Sequence, residues 1–227
     1  MTVAEVIKAL KTLQDPDHVK SLERYAIDNT KALGISTPKI RNLAKSIGKD
    51  HRLALELWKS NIHEAKILST LIAEINLMSS KTMDDWVHDL YSWDICDQAC
   101  CNLFVFTPFA FEKAMDWSNA SQEYVKRAGF VLMAQIAMHV KDAENSDFRD
   151  FFDRIEKEAD DQRNFVKKAV NWALRQIGKR NLSLNSQAIA RAERIKLQGS
   201  KSAKWIASDA LRELQRDQVQ SKLLKKN

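Results

Sequence analysis

The chain has 227 residues, of which 44% are hydrophobic and 29% are charged, and its formal net charge is +6. This is the composition of a globular protein rather than of a disordered or membrane-embedded one. Only five glycines and three prolines occur, and this scarcity of turn residues excludes β-sandwich and β-barrel folds. The glycines are isolated from one another, so neither GxGxxG nor GxxxxGK[ST], the glycine-rich phosphate-binding motifs, is present.

The sequence carries no signal for a membrane or for export. No apolar run reaches the roughly 18 residues that a membrane span needs, and the first residues include Glu5 and lack the features of a secretory signal. We therefore expect a cytoplasmic protein without a membrane partner. Its three cysteines, Cys96, Cys100 and Cys101, are clustered and odd in number, which favours reduced, buried thiols over disulfides.

Positive charge is concentrated towards the C-terminus. Residues 163–227 contain 16 lysines and arginines and four acidic residues, a net charge of +12, which leaves −6 for residues 1–162. A basic third on an acidic body favours a polyanionic partner, and first of all nucleic acid. On charge alone, a solvated basic surface that aids solubility is an equal alternative.

Apolar residues recur at helical spacing along nearly the whole chain, which predicts a series of short helices. The first covers residues 3–13, and Asp15 is expected to cap a second over about 17–33 that ends at Gly34. Helical signals continue to about residue 220, so we expect one domain over 1–220 and a basic tail over 221–227. The other helices are predicted near 38–47, 50–59, 62–76, 80–91, 93–104, 108–117, 121–139, 146–158, 163–179, 184–196 and 200–220.

Two of these helices have the same start signal. Thr37 and Thr107 each precede a proline, a pattern typical of an N-cap followed by the first helical residue. The apolar stretch FVF at residues 104–106 follows a helical period directly, so it is interpreted as a buried helix end and no strand is predicted.

Short internal matches indicate repeats. VKRA at 125–128 recurs as VKKA at 166–169, an offset of 41 residues, and ALR at 173–175 recurs at 210–212, an offset of 37. Offsets near 40 are typical of HEAT and armadillo repeats. We therefore predict an all-α fold, an α-α superhelix (solenoid) of HEAT-like helical repeats, with a basic concave face that could hold a nucleic-acid duplex.

The segment SWDICD contains the densest group of chemically useful residues. Trp93 and Asp97 lie four residues apart and share one helix face, Ser92 can cap the helix, and Asp94 is expected to point elsewhere and complement the helix dipole. An aromatic ring beside a carboxylate suits a cationic ligand. The alternative is a buried tryptophan beside a capping or salt-bridged aspartate, and spacing alone favours that alternative.

Two further groups lie on later helices. Arg127 enters a largely apolar helix and needs a carboxylate or phosphate partner, with an internal salt bridge as the alternative. Lys168, Trp172 and Arg175 fall at helical spacing, followed by Lys179. Such a basic and aromatic stripe suits nucleic acid, although Trp172 could instead fill the core. The five histidines are scattered, and Cys96 and Cys100 have no second ligand pair, so no metal site is expected.

In this order within an all-helical chain, the three groups resemble the AlkD family of DNA alkylation-repair glycosylases. These HEAT-like-repeat proteins remove cationic N3- and N7-alkylated purines. The likeness begins near Arg24 and Tyr25 and LGISTPKIRNLAK, and continues through SWDICD and VKRA to KKAVNWALR. The run DNTKA departs from the family pattern, and no motif is matched beyond about residue 182.

The family's WxxxD motif corresponds to Trp93 and Asp97, and its arginine in an xRA helix to Arg127. Its second tryptophan corresponds to Trp172, where the more usual preceding glycine is an asparagine, and the following arginine to Arg175. Relatives without the carboxylate look like DNA binders that lack glycosylase activity. The presence of Asp97 therefore favours an enzyme.

The resemblance implies hydrolysis of the N-glycosidic bond of an alkylated purine in double-stranded DNA, without a metal or organic cofactor and by a predicted monomer. Asp97 would stabilise the oxocarbenium-like sugar while tryptophan rings pack on it and arginines hold phosphates. The implied catalytic residues are Asp97, Trp93, Trp172 and Arg127, and the implied DNA-binding residues are Arg175, Lys168, Thr37, Arg41 and Tyr25. The alternatives are a non-catalytic protein that binds damaged or branched DNA, and a protein–protein scaffold.

Overall fold

The computed structural model describes residues 1–225, which contain fourteen α-helices, four short 3-10 helices and no strand. The predicted all-α fold is therefore confirmed. The helices form two compact units, of which the first is Met1–Thr107 and the second begins at Pro108. Within the described residues, no helix combines the length and the apolar character that crossing a membrane requires.

The first unit contains seven α-helices. They are α1 (Val3–Thr12), α2 (Pro16–Leu22), α3 (Thr37–Ile47), α4 (His51–Trp58), α5 (His63–Ile72), α6 (Ser80–His88) and α7 (Trp93–Asn102). Helix α5 packs against α3, α4 and α7, and most of its residues are buried. A stack of Trp58 on Trp86, with ring centroids 4.0 Å apart, joins α4 to α6. Helix α7, which carries the WxxxD motif, is therefore held on a buried neighbour.

The second unit contains the other seven α-helices. They are α8 (Ala110–Ser118), α9 (Glu123–His139), α10 (Arg149–Lys157), α11 (Asn164–Gly178), α12 (Leu182–Leu197), α13 (Lys201–Leu214) and α14 (Asp217–Leu224). Helices α9, α11 and α13 pack side by side in one layer, and α8, α10 and α12 pack in a second. This pairing of successive helices is the arrangement that the HEAT-like repeat prediction requires.

Two features of the second unit fix how closely its helices approach. A Cβ atom at Gly129 of α9 would lie 2.3 Å from the backbone nitrogen of Ser118 in α8, so only glycine fits there. Several contacts between helices α11 and α13 join residues that are 38 positions apart, as in the hydrogen bond from Asn171 to Asp209. The offset is one residue longer than the sequence match between these helices indicates.

The helix predicted over about 17–33 is wrong beyond residue 22. Asp15 caps α2 as expected, since its side chain accepts from the backbone of His18. The chain then passes through a 3-10 turn at Glu23–Tyr25 and leaves helical geometry at Ala26, whose φ is 54°. The apolar residues of this segment have helical spacing, but the segment folds as a loop.

The starts of two helices also differ from the prediction. Helix α3 begins at Thr37 itself, with Ser36 at the N-cap position, and α8 begins three residues after Thr107. The Thr107 hydroxyl instead bonds to the carbonyl of Phe104. FVF forms the expected helical extension, as a 3-10 turn in which Phe104 and Val105 are buried.

The predicted helix over 200–220 is two helices, α13 and α14. The carbonyl of Leu214 at the end of α13 accepts from the side-chain amide of Gln220, a contact between polar side chain and backbone that apolar periodicity does not register. The predicted basic tail overlaps α14 as far as Leu224, and residues 226–227 lie outside the described residues.

Candidate functional site

A pocket of about 350 Å³ in the first unit contains the WxxxD motif. Four residues that the sequence placed in the site line it together, namely Tyr25, Thr37, Trp93 and Asp97. Trp93 and Asp97 come from the first turns of α7, where their spacing puts both on one face. The other lining residues are His18, Leu22, Ile27, Gly34, Ile35, His63, Glu64, Ile67, Asp94 and Gln98.

The loop that borders the pocket is fixed by a buried carboxylate. Glu64 of α5 accepts hydrogen bonds from the backbone N–H groups of Leu33, Gly34 and Ile35, at 2.7–3.1 Å. Such a set of charge-assisted bonds satisfies a carboxylate that is only 2% exposed. Glu64 thereby positions the segment that leads into Thr37.

Asp94 belongs to the same pocket, contrary to the expectation that it points away from Asp97. Its Oδ2 atom lies 2.7 Å from Nε2 of the buried His63, and its Oδ1 accepts from the Ser92 hydroxyl. Burial raises the pKa of Asp94, but the hydrogen bonds from His63 and Ser92 outweigh this effect, and the pKa lies below its ordinary value. Ser92 occupies the N-cap position as predicted, but its side chain bonds to Asp94 rather than to the backbone.

Arg41 lies beside this pocket on the exposed side of α3. Its guanidinium donates to the side-chain oxygens of Gln98 and Asn102 on α7, at 3.3 and 3.2 Å. Cys96 and Cys100 are buried as expected, and Cys101 is partly buried. Burial raises the pKa of the Cys101 thiol, and the nearby charge of Asp97 acts in the same direction, whereas Arg41 opposes it.

The second unit carries the other predicted residues. Arg127 lies in the middle of the buried helix α9 and is 5% exposed. Its guanidinium donates to the carbonyl oxygen of Phe165, 2.7 Å away at the start of α11. This bond satisfies part of the polar requirement that the sequence assigned to a buried arginine.

The stripe on α11 divides into two parts. Lys168 is exposed, and Trp172 is partly buried with its indole nitrogen 3.0 Å from the Gln176 amide. Arg175 pairs with Glu213 and lies 3.5 Å from Asp209, both on α13, and Lys179 also pairs with Glu213. Arg175 therefore has acidic partners within the fold, which helical spacing on α11 alone did not reveal.

Glu213 is ionised in this cluster at lower pH than an ordinary glutamate. Burial raises the pKa of Glu213, but the hydrogen bond from Lys179 and the charge of Arg175 outweigh burial and lower it. The C-terminal half of α11 is thus joined to α13 by charge pairs.

Sequence reasoning missed His63, Glu64 and the contribution of Asp94. All three depend on contacts between residues about 30 positions apart, and neither periodicity nor a motif reports such contacts. One available signal was that the helix predicted over 62–76 carries His63 and Glu64 in its first turn, since a polar residue that becomes buried needs a partner.

The sequence profile of a family described as DNA alkylation repair enzyme matches residues 6–214. The fold defines a HEAT-like helical-repeat protein, and the chain belongs to the DNA alkylation repair enzyme family. The resemblance that the sequence motifs indicated is therefore confirmed at the level of the family, and family membership supports a role in DNA repair.

One solved structure supports the fold. One neighbour belongs to a new family of proteins related to the HEAT-like repeat DNA glycosylases with affinity for branched DNA structures; it is 18% identical, with 94% of this chain and 96% of that chain covered, at a TM-score of 0.78. A designed armadillo repeat protein in complex with peptide (KR)4 is 14% identical over 91% and 98% of the two chains, at a TM-score of 0.43. No curated protein matches the chain significantly by sequence.

Proposed function

We propose that this protein is a DNA glycosylase that hydrolyses the N-glycosidic bond of N3- and N7-alkylated purines in double-stranded DNA. The observation that carries the proposal is the pocket of the first unit, where Trp93 and Asp97 lie together with Tyr25 and Thr37. A carboxylate beside aromatic rings is suited to a reaction in which positive charge develops. Membership of a DNA repair family identifies the polymer on which that chemistry acts.

The reaction needs little acid catalysis, because an alkylated purine already carries a positive charge. As the bond from the sugar C1′ to the base nitrogen breaks, its electron pair returns to the base, which leaves as a neutral alkylpurine. The sugar becomes oxocarbenium-like, and the carboxylate of Asp97 stabilises that cation. A water molecule positioned by Asp97 adds to C1′ and gives up a proton to the surrounding solvent, leaving an abasic site.

Trp93 contributes an oriented aromatic face. Its indole N–H donates to the carbonyl oxygen of Tyr25 at 2.9 Å, so the ring has a defined direction beside Asp97. A ring face held in this way stabilises positive charge on the base or the sugar. Asp94, ionised in its contact with His63, adds negative charge one turn before Asp97.

Residues outside the pocket bind the DNA backbone in this proposal. Lys168 and Arg41 are exposed and can reach phosphates. Trp172 packs on the sugar-phosphate chain, while Arg127 and Arg175 add positive potential through guanidinium groups that also have partners in the fold. The protein acts as a monomer and needs neither a metal nor an organic cofactor for these steps.

A second candidate function is binding of branched DNA without catalysis. The structural neighbour with affinity for branched DNA favours this candidate, because its chain is covered almost completely. The two functions differ in one observable, since a binder retains DNA affinity but releases no base.

The decisive experiment incubates the protein with a duplex that contains one N7-methylguanine. Release of the base and an alkali-labile site are measured for the wild type, for Asp97→Asn and for the control Asp85→Asn. Asp85 is an exposed aspartate of α6 whose ion pair with Lys81 lies on the surface of the same unit. Duplex affinity is measured in parallel for all three proteins.

We expect the wild type and Asp85→Asn to release the base, and Asp97→Asn to lose about 100-fold or more in rate, the scale of removing one preorganised electrostatic group. Duplex affinity should change little in both variants, because a carboxylate contributes nothing to phosphate binding. No base release by the wild type, together with salt-sensitive DNA binding, would favour the second candidate. Equal rates for Asp97→Asn and the wild type would remove the role assigned to Asp97.

A further inference from the structure

An exposed tryptophan lies among lysines in the second unit, in the part of the chain without a recognised motif. Trp205 of α13 is 40% exposed, and the ammonium group of Lys167 on α11 lies 5.0 Å from the centre of its ring. Three further lysines are exposed on the same two helices: Lys168 follows Lys167 on α11, and Lys201 and Lys204 precede Trp205 on α13. We call these five residues, Trp205 with Lys167, Lys168, Lys201 and Lys204, the Trp205 surface.

The contacts between α11 and α13 explain why this surface is positive. Three of them recur every four residues at the constant offset of 38, pairing Lys167 with Trp205, Asn171 with Asp209 and Arg175 with Glu213. The charge of Arg175 meets the carboxylate of Glu213. The charge of Lys167 meets the ring of Trp205, which does not neutralise it.

The lysines of the Trp205 surface have no acidic partners within residues 1–225. None of the four forms an ion pair there, whereas Arg175, Lys179 and Arg212 on the same two helices all do. The first turns of α11 and α13 contain no acidic residue. Among the described residues, no ion pair therefore neutralises the lysines of the Trp205 surface.

We propose that the Trp205 surface binds unpaired nucleotides of DNA, with the lysines on phosphates and the indole stacked on a base. An exposed tryptophan between lysines has the two components of single-strand recognition, namely positive charge for the backbone and an aromatic ring for the bases. The ring requires an unpaired nucleotide, because both faces of a base inside a duplex are covered by its neighbours. This inference rests on the proposed function in one respect, namely that the bound polyanion is DNA.

The test compares two DNA molecules that differ only in an unpaired segment. Affinity is measured by fluorescence anisotropy for a blunt duplex and for the same duplex with a single-stranded 3′ extension. The proteins are the wild type, Trp205→Ala, Trp205→Phe and the control Leu197→Ala, which shortens a large side chain of α12 that is 84% exposed. Excision of N7-methylguanine from the blunt duplex is measured for each.

We expect the wild type to bind the extended DNA more tightly than the blunt duplex. Trp205→Ala should lose about fivefold in affinity for the extended DNA, the lower end of the stacking contribution of an aromatic side chain, and little for the blunt duplex. Trp205→Phe should retain most of the preference because its ring still stacks, and Leu197→Ala should retain all of it.

A second pair of variants tests the charge. Lys204→Gln should reduce the salt dependence of binding to the extended DNA by about 0.7 in the slope of log K against log salt, the value for one phosphate contact on a single strand. Lys196→Gln, which changes an exposed lysine of α12, should leave that slope unchanged.

The inference is overturned if the wild type binds both DNA molecules equally, or if Trp205→Ala keeps the full preference. If the protein excises the base but does not prefer the extended DNA, the proposed function is supported and binding of unpaired nucleotides by the Trp205 surface is rejected. If the protein prefers the extended DNA through Trp205 but releases no base, the binding role of the Trp205 surface is supported and glycosylase activity is rejected. The two failures can thus be told apart.

Discussion

The indole nitrogen of Trp93 donates a hydrogen bond to the carbonyl oxygen of Tyr25, 68 residues earlier in the chain and 2.9 Å away. The bond joins the first turn of α7 to the 3-10 turn at Glu23–Tyr25, directly before Ala26 adopts its left-handed backbone conformation. Trp93 therefore has two effects that can be separated. Its ring lines the pocket beside Asp97, and its N–H fixes the segment that carries Tyr25.

Trp93→Phe should separate these two effects, because phenylalanine keeps an aromatic ring and loses the N–H. One hydrogen bond contributes about 1 kcal/mol, which corresponds to about fivefold in rate if the loss appears wholly in the transition state. We expect excision of N7-methylguanine to fall by about that factor in Trp93→Phe and much further in Trp93→Ala. Single-turnover rates provide the measurement, and equal losses in the two variants would contradict a separate contribution of the ring.

Lys168 and Arg175 should respond differently to replacement, although both lie on the stripe of α11. Lys168 is exposed, so Lys168→Ala should reduce the salt slope of duplex binding by about 0.9 and leave the melting temperature unchanged. Arg175 is paired with Glu213 and lies near Asp209. Arg175→Ala should therefore cost about 1 kcal/mol of stability, because it removes one charge-assisted partner from two partly buried carboxylates that keep their other donors.

Binding titrations at several salt concentrations and thermal unfolding followed by circular dichroism measure both effects. Lys157→Ala, which changes an exposed lysine of α10 outside the stripe, is the control for both. An unchanged salt slope in Lys168→Ala would show that this part of α11 does not meet DNA. An unchanged melting temperature in Arg175→Ala would show that its contacts with α13 contribute no net stability.

Local pattern was sufficient for most of the helices and for one face of the site. Four-residue spacing placed Trp93 and Asp97 on the same face of α7, and both line the pocket. The same reasoning failed over residues 26–33, which were predicted as helix, because the chain leads there into a loop that Glu64, a side chain about 30 residues away, holds at Leu33, Gly34 and Ile35. A hydrogen bond between distant segments leaves no trace in the periodicity of either one.

Counting charges along the sequence predicted the basic part of the chain but not the partners of its basic residues. It found the excess of lysine and arginine after residue 163, but it could not say which cations lie opposite an acid. Arg175 and Lys167 are both basic residues of α11, yet the first meets Glu213 and the second meets Trp205. Helical spacing gives the face on which a residue lies and not the side chain that faces it from the next helix.

The contact of Asp94 with His63 should make the stability of the protein depend on pH in the acidic range. Hydrogen bonds from His63 and Ser92 outweigh burial and place the pKa of Asp94 below its ordinary value, so the folded state favours the ionised carboxylate. This stabilisation is present above about pH 4, the ordinary pKa of an aspartate. It is lost as the pH falls through the lower value in the folded protein.

Asp94→Asn should therefore be less stable than the wild type by about 1–2 kcal/mol at pH 7, because charge-assisted bonds become neutral ones. The difference should shrink as the pH falls below about 4 and the wild-type carboxyl takes up its proton. Urea unfolding at several pH values measures the free energy of unfolding of both proteins. Asp85→Asn should follow the wild type throughout, since Asp85 is exposed. If the curves of Asp94→Asn and the wild type stay parallel as the pH falls from 7 to below about 4, the fold does not favour the ionised form of Asp94, and the pKa of this carboxyl is not lowered.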